Sequence, residues 1–171
     1  DITVNVKDNE KLDIYYKGKL VLSDYETARK KSEKNPYEDL AIAELEGHTV
    51  GKDEEKTDAV TIIKKLGKDD AVYGLGDKPG CLNKRGYSYV NWNTDDPAPH
   101  VDSFKSLYKS IPFFIVLGDE YCYGIFAYNT YKTTFDFGYE NTDYYFVEHE
   151  KGELDYYFMP GNDMAEVVGL Y

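Results

Sequence analysis

Ser110–Tyr128 reads SIPFFIVLGDEYCYGIFAY, and this stretch decides the fold class. Ile111 to Leu117 is the longest apolar run in the chain, and it contains Pro112. It has the length of a strand and falls far short of the ~18 apolar residues that a spanning helix needs. Gly118-Asp119-Glu120 reads as a hairpin connector, and Tyr121 to Tyr128 as the returning strand. A strand that turns back on itself through three residues specifies an antiparallel pair.

The same grammar continues on both sides. Ala71 to Leu75, Tyr87 to Trp92, Lys132 to Phe137, Asp143 to Val147 and Leu154 to Met159 read as strands, and Lys151-Gly152-Glu153 as another connector. Near the start, Ile2, Val4 and Val6 alternate with polar residues, and so do Leu12, Ile14 and Tyr16. Lys17-Gly18-Lys19 turns into Leu20-Val21-Leu22. Leu40 to Leu45 and Val60 to Ile63 are further strand candidates, with Lys52 to Asp58 a charged turn between them. Residues 24–38 are highly charged and fit either a loop or a short helix. About a dozen short strands without a fixed repeat predict an all-β, antiparallel sandwich.

The last ten residues change period. Met164, Val167, Val168 and Tyr171 form a helical stripe, and Asp163 to Glu166 has capping-box spacing. So short a helix is marginal in water and must pack on something. The expected division is a β-sandwich domain over 1–161 and the start of a helical linker over 162–171. The chain begins at Asp1 without an initiator Met or a signal-peptide pattern, and reads as a piece of a longer protein.

Composition narrows the partners. The 171 residues carry a formal charge of −12, which disfavours nucleic acid and anionic membrane as partners. Tyrosine is abundant, 18 against 8 Phe and 1 Trp, and 14 of the 18 fall in residues 73–171. A ring with a polar tip suits half-buried sheets and sugar-facing walls alike. Two cysteines, Cys81 and Cys122, make no disulfide scaffold, and whether they pair is open from spacing.

A specific series then appears. Tyr73 to Gly86 reads YGLGDKPGCLNKRG. It is followed by Trp92-Asn93-Thr94-Asp95, Leu107 to Phe114, Tyr123-Gly124-Ile125-Phe126 with Asn129-Thr130, Phe135 to Gly138, and Leu154 to Phe158 with Pro160-Gly161. In this order the set resembles the N-terminal β-sandwich domain of glycoside hydrolase family 31, which contains α-glucosidases and α-xylosidases. The likeness is strong over 73–171 and only a compatible strand pattern over 1–72. It implies a super-sandwich resembling galactose mutarotase, followed in the parent chain by a catalytic (β/α)8 barrel with Asp nucleophile and Asp acid. No segment here looks like the family's WxDMNE nucleophile motif. Retaining hydrolysis needs two carboxyls about 5–5.5 Å apart. The fragment is therefore expected to hold no catalytic residue and no cofactor, its partners being the absent barrel and, through the full enzyme, an oligosaccharide. Terminal α-linked glucose is the expected sugar, with α-xyloside second. The fragment leaves the compartment open, with cytoplasm favoured for a bacterial-type parent.

The resemblance also implies a substrate contact. In similar enzymes an Asp on an N-terminal-domain loop hydrogen-bonds hydroxyls of the non-reducing-end sugar, and Asp95 matches that position. Asp96 is the register alternative, and both also read as ordinary turn residues before Pro97. Trp92 can be a sugar platform or simple loop packing. Arg85 can lie near the same loop, touching substrate or bracing the loop through an ion pair with Asp77 or Asp95. Gly74, Gly76 and Gly80 lack the Lys-Ser/Thr of a phosphate loop and fit turns or close backbone packing. His48, His100 and His149 lack metal-ligand spacing, so no metal site is expected. Glu148-His149-Glu150 reads as a charged hairpin end. Two other classes fit the fold: a stand-alone carbohydrate-binding sandwich, and a mutarotase-like epimerase using His100, His149 and Glu148.

Overall fold

In the computed structural model, which describes residues 1–7, 11–34, 57–97 and 99–171, the quoted stretch is a hairpin. Strand β7 (Ser110–Leu117) and β8 (Cys122–Ala127) pair antiparallel from Leu117↔Cys122 to Phe113↔Phe126. Gly118 N donates to Tyr121 O at 2.9 Å and closes the turn. Because side chains alternate across a strand, Phe114, Val116, Tyr123 and Ile125 enter the main core, while Phe113, Ile115 and Cys122 face the other way.

The remaining strands are β1 (Ile2–Val6), β2 (Leu12–Tyr16), β3 (Lys19–Lys34), β4 (Thr57–Lys65), β5 (Ala71–Gly76), β6 (Ser88–Asn91), β9 (Thr133–Phe137), β10 (Tyr144–His149) and β11 (Tyr156–Gly161). They form a seven-stranded sheet, β1-β2-β3-β4-β10-β9-β6, and a four-stranded sheet, β11-β8-β7-β5. Their facing sides enclose one core of Val72, Leu75, Tyr89, Phe114, Phe135, Phe137, Tyr145 and their neighbours. Fully burying a Phe or Leu stabilises by about 1.5–3 kcal/mol. The wider sheet overhangs the narrower one, so Ile2, Val4 and Val6 on β1 stay exposed.

Two expectations change. Residues 24–34 are neither loop nor helix but the continuation of β3, paired with β4. The pairing breaks register between Asp24 and Arg29, and Asp24 is buried there against Lys64, which also donates to Tyr156 Oη at 3.2 Å. The strand candidate Leu40 to Leu45, most of the turn Lys52 to Asp58, and His48 lie outside the described residues. His149 is not a charged hairpin end: it is buried as the last residue of β10. The two cysteines are free, Cys81 exposed and Cys122 buried.

The helix is α1 (Met164–Leu170). Asp163 caps it by accepting from Glu166 N at 2.9 Å, while Glu166 Oε2 accepts from Asn162 N at 2.8 Å. The return bond thus reaches one residue further back than in a standard capping box. Of the expected stripe only Val167 is buried; Met164, Val168 and Tyr171 are exposed, although Tyr171 stacks on Phe113 with centroids 4.0 Å apart. Val167 packs on the outer side of the four-stranded sheet where Gly124 leaves a hollow. A Cβ at Gly124 would sit 2.7 Å from both Val167 Cγ1 and Phe113 Cε2, so Gly124→Ala would unseat the helix. Among the described residues no helix is long and apolar enough to cross a membrane.

Candidate functional site

The chain leaves the core at Asn91, the end of β6, and returns at Ser110, the start of β7. The loop between them carries Trp92, Asp95 and Asp96. Its two flanks are tied together. Thr94 Oγ1 donates to Trp92 O at 3.1 Å and lies 3.0 Å from Ser106 Oγ, which itself donates to Trp92 O. Tyr108 N donates to Thr94 O at 3.2 Å, and Ser110 N to Asn93 Oδ1 at 2.9 Å.

Beyond these ties the two aspartates diverge. Asp96 is partly buried, and its carbonyl lies 2.9 Å from His100 Nε2. Asp95 is exposed, and among the described residues no hydrogen bond or ion pair engages its carboxylate. An ionised carboxylate left free offers about four acceptor positions. Trp92 is 45% exposed, and its carbonyl, rather than its ring, organises the loop.

Beneath the loop is an open cleft of about 370 Å³ lined by Asp77, Lys78, Asp96, His100 and Tyr108 among others. Asp77, Lys78 and Pro79, the residues that follow β5, line one side of it. Here the YGLG run acquires its meaning. Gly76 has φ +79°, and a Cβ there would lie 2.4 Å from Lys109 O; at Gly74, φ +129°, it would lie 2.5 Å from Phe113 O. Only glycine lets β5 approach β7 this closely and hold those angles. Between them Leu75 takes φ 69° at the register shift and is fully buried. The glycines serve backbone approach, not phosphate.

Arg85 is not at this site. Its Nη1 donates to Gly67 O at 2.7 Å and Asp70 O at 3.3 Å, and Nη2 to Thr142 O at 3.0 Å. Those acceptors lie at the start of β5, whereas Asp77 lies past its end, roughly 20 Å along the strand at about 3.3 Å per residue. The expected ion pair with Asp77 or Asp95 is replaced by bonds to backbone carbonyls. Its neighbour Lys84 goes the other way, donating from Nζ to Lys78 O and Pro79 O, each at 3.1 Å.

Sequence reasoning missed Lys78 and Asn91 near the loop, and named His149 without its structural duty. Lys78 Nζ donates to Leu107 O at 3.1 Å and Ser110 Oγ at 3.3 Å, and burial, partly offset by Asp77, pushes its pKa down to about 8. His149 Nδ1 lies 2.8 Å from Thr133 Oγ1, whose proton goes to Tyr131 O. Nδ1 is therefore the protonated nitrogen, and burial pushes the ring's pKa down to about 4. Asn91, opposite Thr133 on β9, is only 8% exposed, and among the described residues its amide has no hydrogen-bond partner. No periodicity marks a residue for such roles; each depends on which strands meet. The tyrosines divide between both readings left open by composition. Tyr123 is buried, but Tyr108 and Tyr157 are exposed, the first at the cleft and the second on the outer side of β11.

Comparison with known proteins bears on these observations. The sequence model described as "Glycosyl hydrolase 31 N-terminal galactose mutarotase-like domain" matches residues 2–136, so the likeness extends through the first strands. The chain is similar to Alpha-glucosidase 2 of Bacillus thermoamyloliquefaciens, 42% identical over 112 residues, which is 66% of this chain and 14% of that protein. It is similar to an alpha-xylosidase of Lactiplantibacillus pentosus, 31% identical over 62% of this chain and 13% of that one. Among solved structures it resembles a GH31 dextranase of Flavobacterium johnsoniae complexed with isomaltotriose, 36% identical with a TM-score of 0.72 over 98% of this chain and 18% of the other. The chain spans about one seventh of the length of these curated relatives.

Proposed function

We propose a role that proceeds from one premise: the chain belongs to the glycosyl hydrolase 31 N-terminal galactose mutarotase-like domain family. In this role it is the non-catalytic N-terminal domain of a longer, retaining, exo-acting α-glucosidase, with α-xylosidase as second choice. The described strand pairs are all antiparallel, so the chemistry is assigned to a barrel elsewhere in the parent. The domain contributes the 92–109 loop to the mouth of that barrel, and Asp95 accepts hydrogen bonds from hydroxyls of the terminal sugar. The observation that carries this reading is a carboxylate left unengaged among the described residues, on a loop whose flanks are tied. Asp96, partnered within its own loop, is the lesser candidate.

The outer side of the four-stranded sheet is the proposed seat for the rest of the parent chain. Phe126, Tyr128, Tyr157 and Tyr171 cluster there, with Tyr128 to Tyr157 centroids 5.9 Å apart and Phe126 to Tyr171 5.6 Å apart. Because β7 begins and β8 ends at the same edge as the loop, this face and Asp95 can meet one partner together. The exposed tyrosines also support a second reading, a stand-alone carbohydrate-binding module. Calorimetric titration of the isolated chain with maltose and isomaltose separates the two: no heat is expected for the domain reading.

The decisive test is Asp95→Ala in the full-length parent. Losing hydrogen bonds to a charged group is worth about 1.5–3 kcal/mol, so kcat/KM should fall roughly ten- to a hundredfold with the unfolding midpoint unchanged. Wild-type kinetics would remove Asp95 from the site.

A further inference from the structure

The loop that carries Asp95 touches the core through a short chain of contacts, and one side chain stands at its centre. Lys84 is buried; its ammonium holds the carbonyls of Lys78 and Pro79, and lies 5.3 Å from the Tyr89 ring centroid. Tyr89, also buried, donates from Oη to Pro79 O at 2.7 Å. The backbone at Lys78 is thus fixed from below by two core residues. From that fixed point the Lys78 side chain reaches up to Leu107 O and Ser110 Oγ. Ser110 Oγ in turn donates to Leu107 O at 3.3 Å, and Ser110 N is held by Asn93. Tyr108, between those two acceptors, binds the carbonyl of Thr94, the residue before Asp95.

We infer that Lys78 is a positioning residue for substrate binding, locking segment 107–110 so that the strapped residues 93–94 present Asp95 in one orientation. The inference rests on the reading of Asp95 as a sugar contact. The physical argument is one of fixed geometry. A hydroxyl-accepting carboxylate on a mobile loop must be ordered when substrate arrives, and that cost weakens binding; a loop ordered beforehand avoids it. An ammonium suits the task because it offers three donors to acceptors at different angles from a flexible stem. Lys78 touches no substrate in this scheme and acts only through the loop.

The experiment is a double-mutant cycle in the full-length parent enzyme with Lys78→Met, Asp95→Ala and the pair, measuring kcat and KM separately. Lys78→Met is expected to raise KM about three- to tenfold with kcat close to wild type, as loss of one or two hydrogen bonds implies. In the Asp95→Ala background the same substitution is expected to add nothing, because the group it positions is gone. Should Lys78→Met fail to fold, Ser110→Ala removes one of its acceptors without changing charge and is expected to move KM in the same direction. If Asp95→Ala is impaired while Lys78→Met and Ser110→Ala leave KM unchanged, or if the two losses simply add, the positioning role is overturned and the Asp95 contact stands. If Asp95→Ala is itself wild type, the contact falls and the positioning role with it.

Discussion

The two ends of strand β5 carry similar residue types and treat them in opposite ways. At its start, Asp70 accepts from Tyr121 Oη at 2.6 and 2.8 Å and from Gly67 N at 2.7 Å. Arg85 is spent on three carbonyls, and Lys64, near the end of the preceding strand β4, is buried on Asp24. At the other end, among the described residues, Asp95 is unengaged and Asn91 lacks a partner, and Lys78 donates to Leu107 O and Ser110 Oγ of the loop. The start of β5 also borders the larger cleft, about 470 Å³, lined by Asp69, Asp70, Asp119 and Glu120. Size and acidity therefore do not distinguish a binding site here. What differs is whether the polar groups have already been used: satisfied groups rigidify a structure, and unsatisfied ones are available to a ligand.

The largest expected effect lies at the satisfied end. Lys64→Met leaves Asp24 buried without its cation, and breaking such a pair costs about 3–5 kcal/mol. Urea unfolding of the chain would show it. A change below 1 kcal/mol would mean that this end is less tightly built than its contacts indicate.

Next comes acid titration at the loop end. The folded pKa of His149 is pushed by burial to about 4, below the ordinary histidine value of 6.5. Below that value the unfolded chain binds a proton that the folded chain refuses. This contribution is thus present above pH 6.5 and is lost as pH falls toward 4, by about 3 kcal/mol at most. Comparing unfolding of wild type and His149→Gln at pH 7 and pH 4.5 isolates it, since other carboxylates titrate in both. Equal acid losses in the two proteins would show that His149 takes up its proton freely.

Tyr121→Phe should cost about 2 kcal/mol, because it removes a phenol donor from the Asp70 carboxylate while Gly67 N remains. An unchanged midpoint would mean that water replaces the phenol without loss, and the contrast between the two ends would weaken.

The legibility of these features in the sequence follows the same division. The hairpin at 110–128 was readable as a strand-length apolar run, buried on both sides, that returns through a three-residue connector, and residues 2–16 by their alternation of apolar and polar side chains. The extension of β3 was not, since residues 24–34 carry charge on a strand held by pairing with β4 rather than by an apolar face. The helix at 164–170 announced itself by spacing, but its burial depends on the hollow at Gly124, which spacing does not reveal. At the loop, the family resemblance singled out Asp95 through its neighbours Trp92-Asn93-Thr94. Sequence position misdirected Arg85, because two adjacent side chains leave the same turn toward opposite ends of β5.

The smallest expected effect is the most informative. Asp95→Asn should alter the stability of the chain by no more than about 0.5 kcal/mol, the usual range for an exposed position with no partner to lose among the described residues. Asp70→Asn, the same change at the other end, removes the negative charge from a buried acceptor and should cost about 1–3 kcal/mol. An unchanged stability is what the proposed sugar contact requires, because the carboxylate then has no duty within the fold. If Asp95→Asn destabilises the chain as much as Asp70→Asn, the carboxylate has a structural duty, and the difference between the two ends of β5 no longer argues for a binding loop.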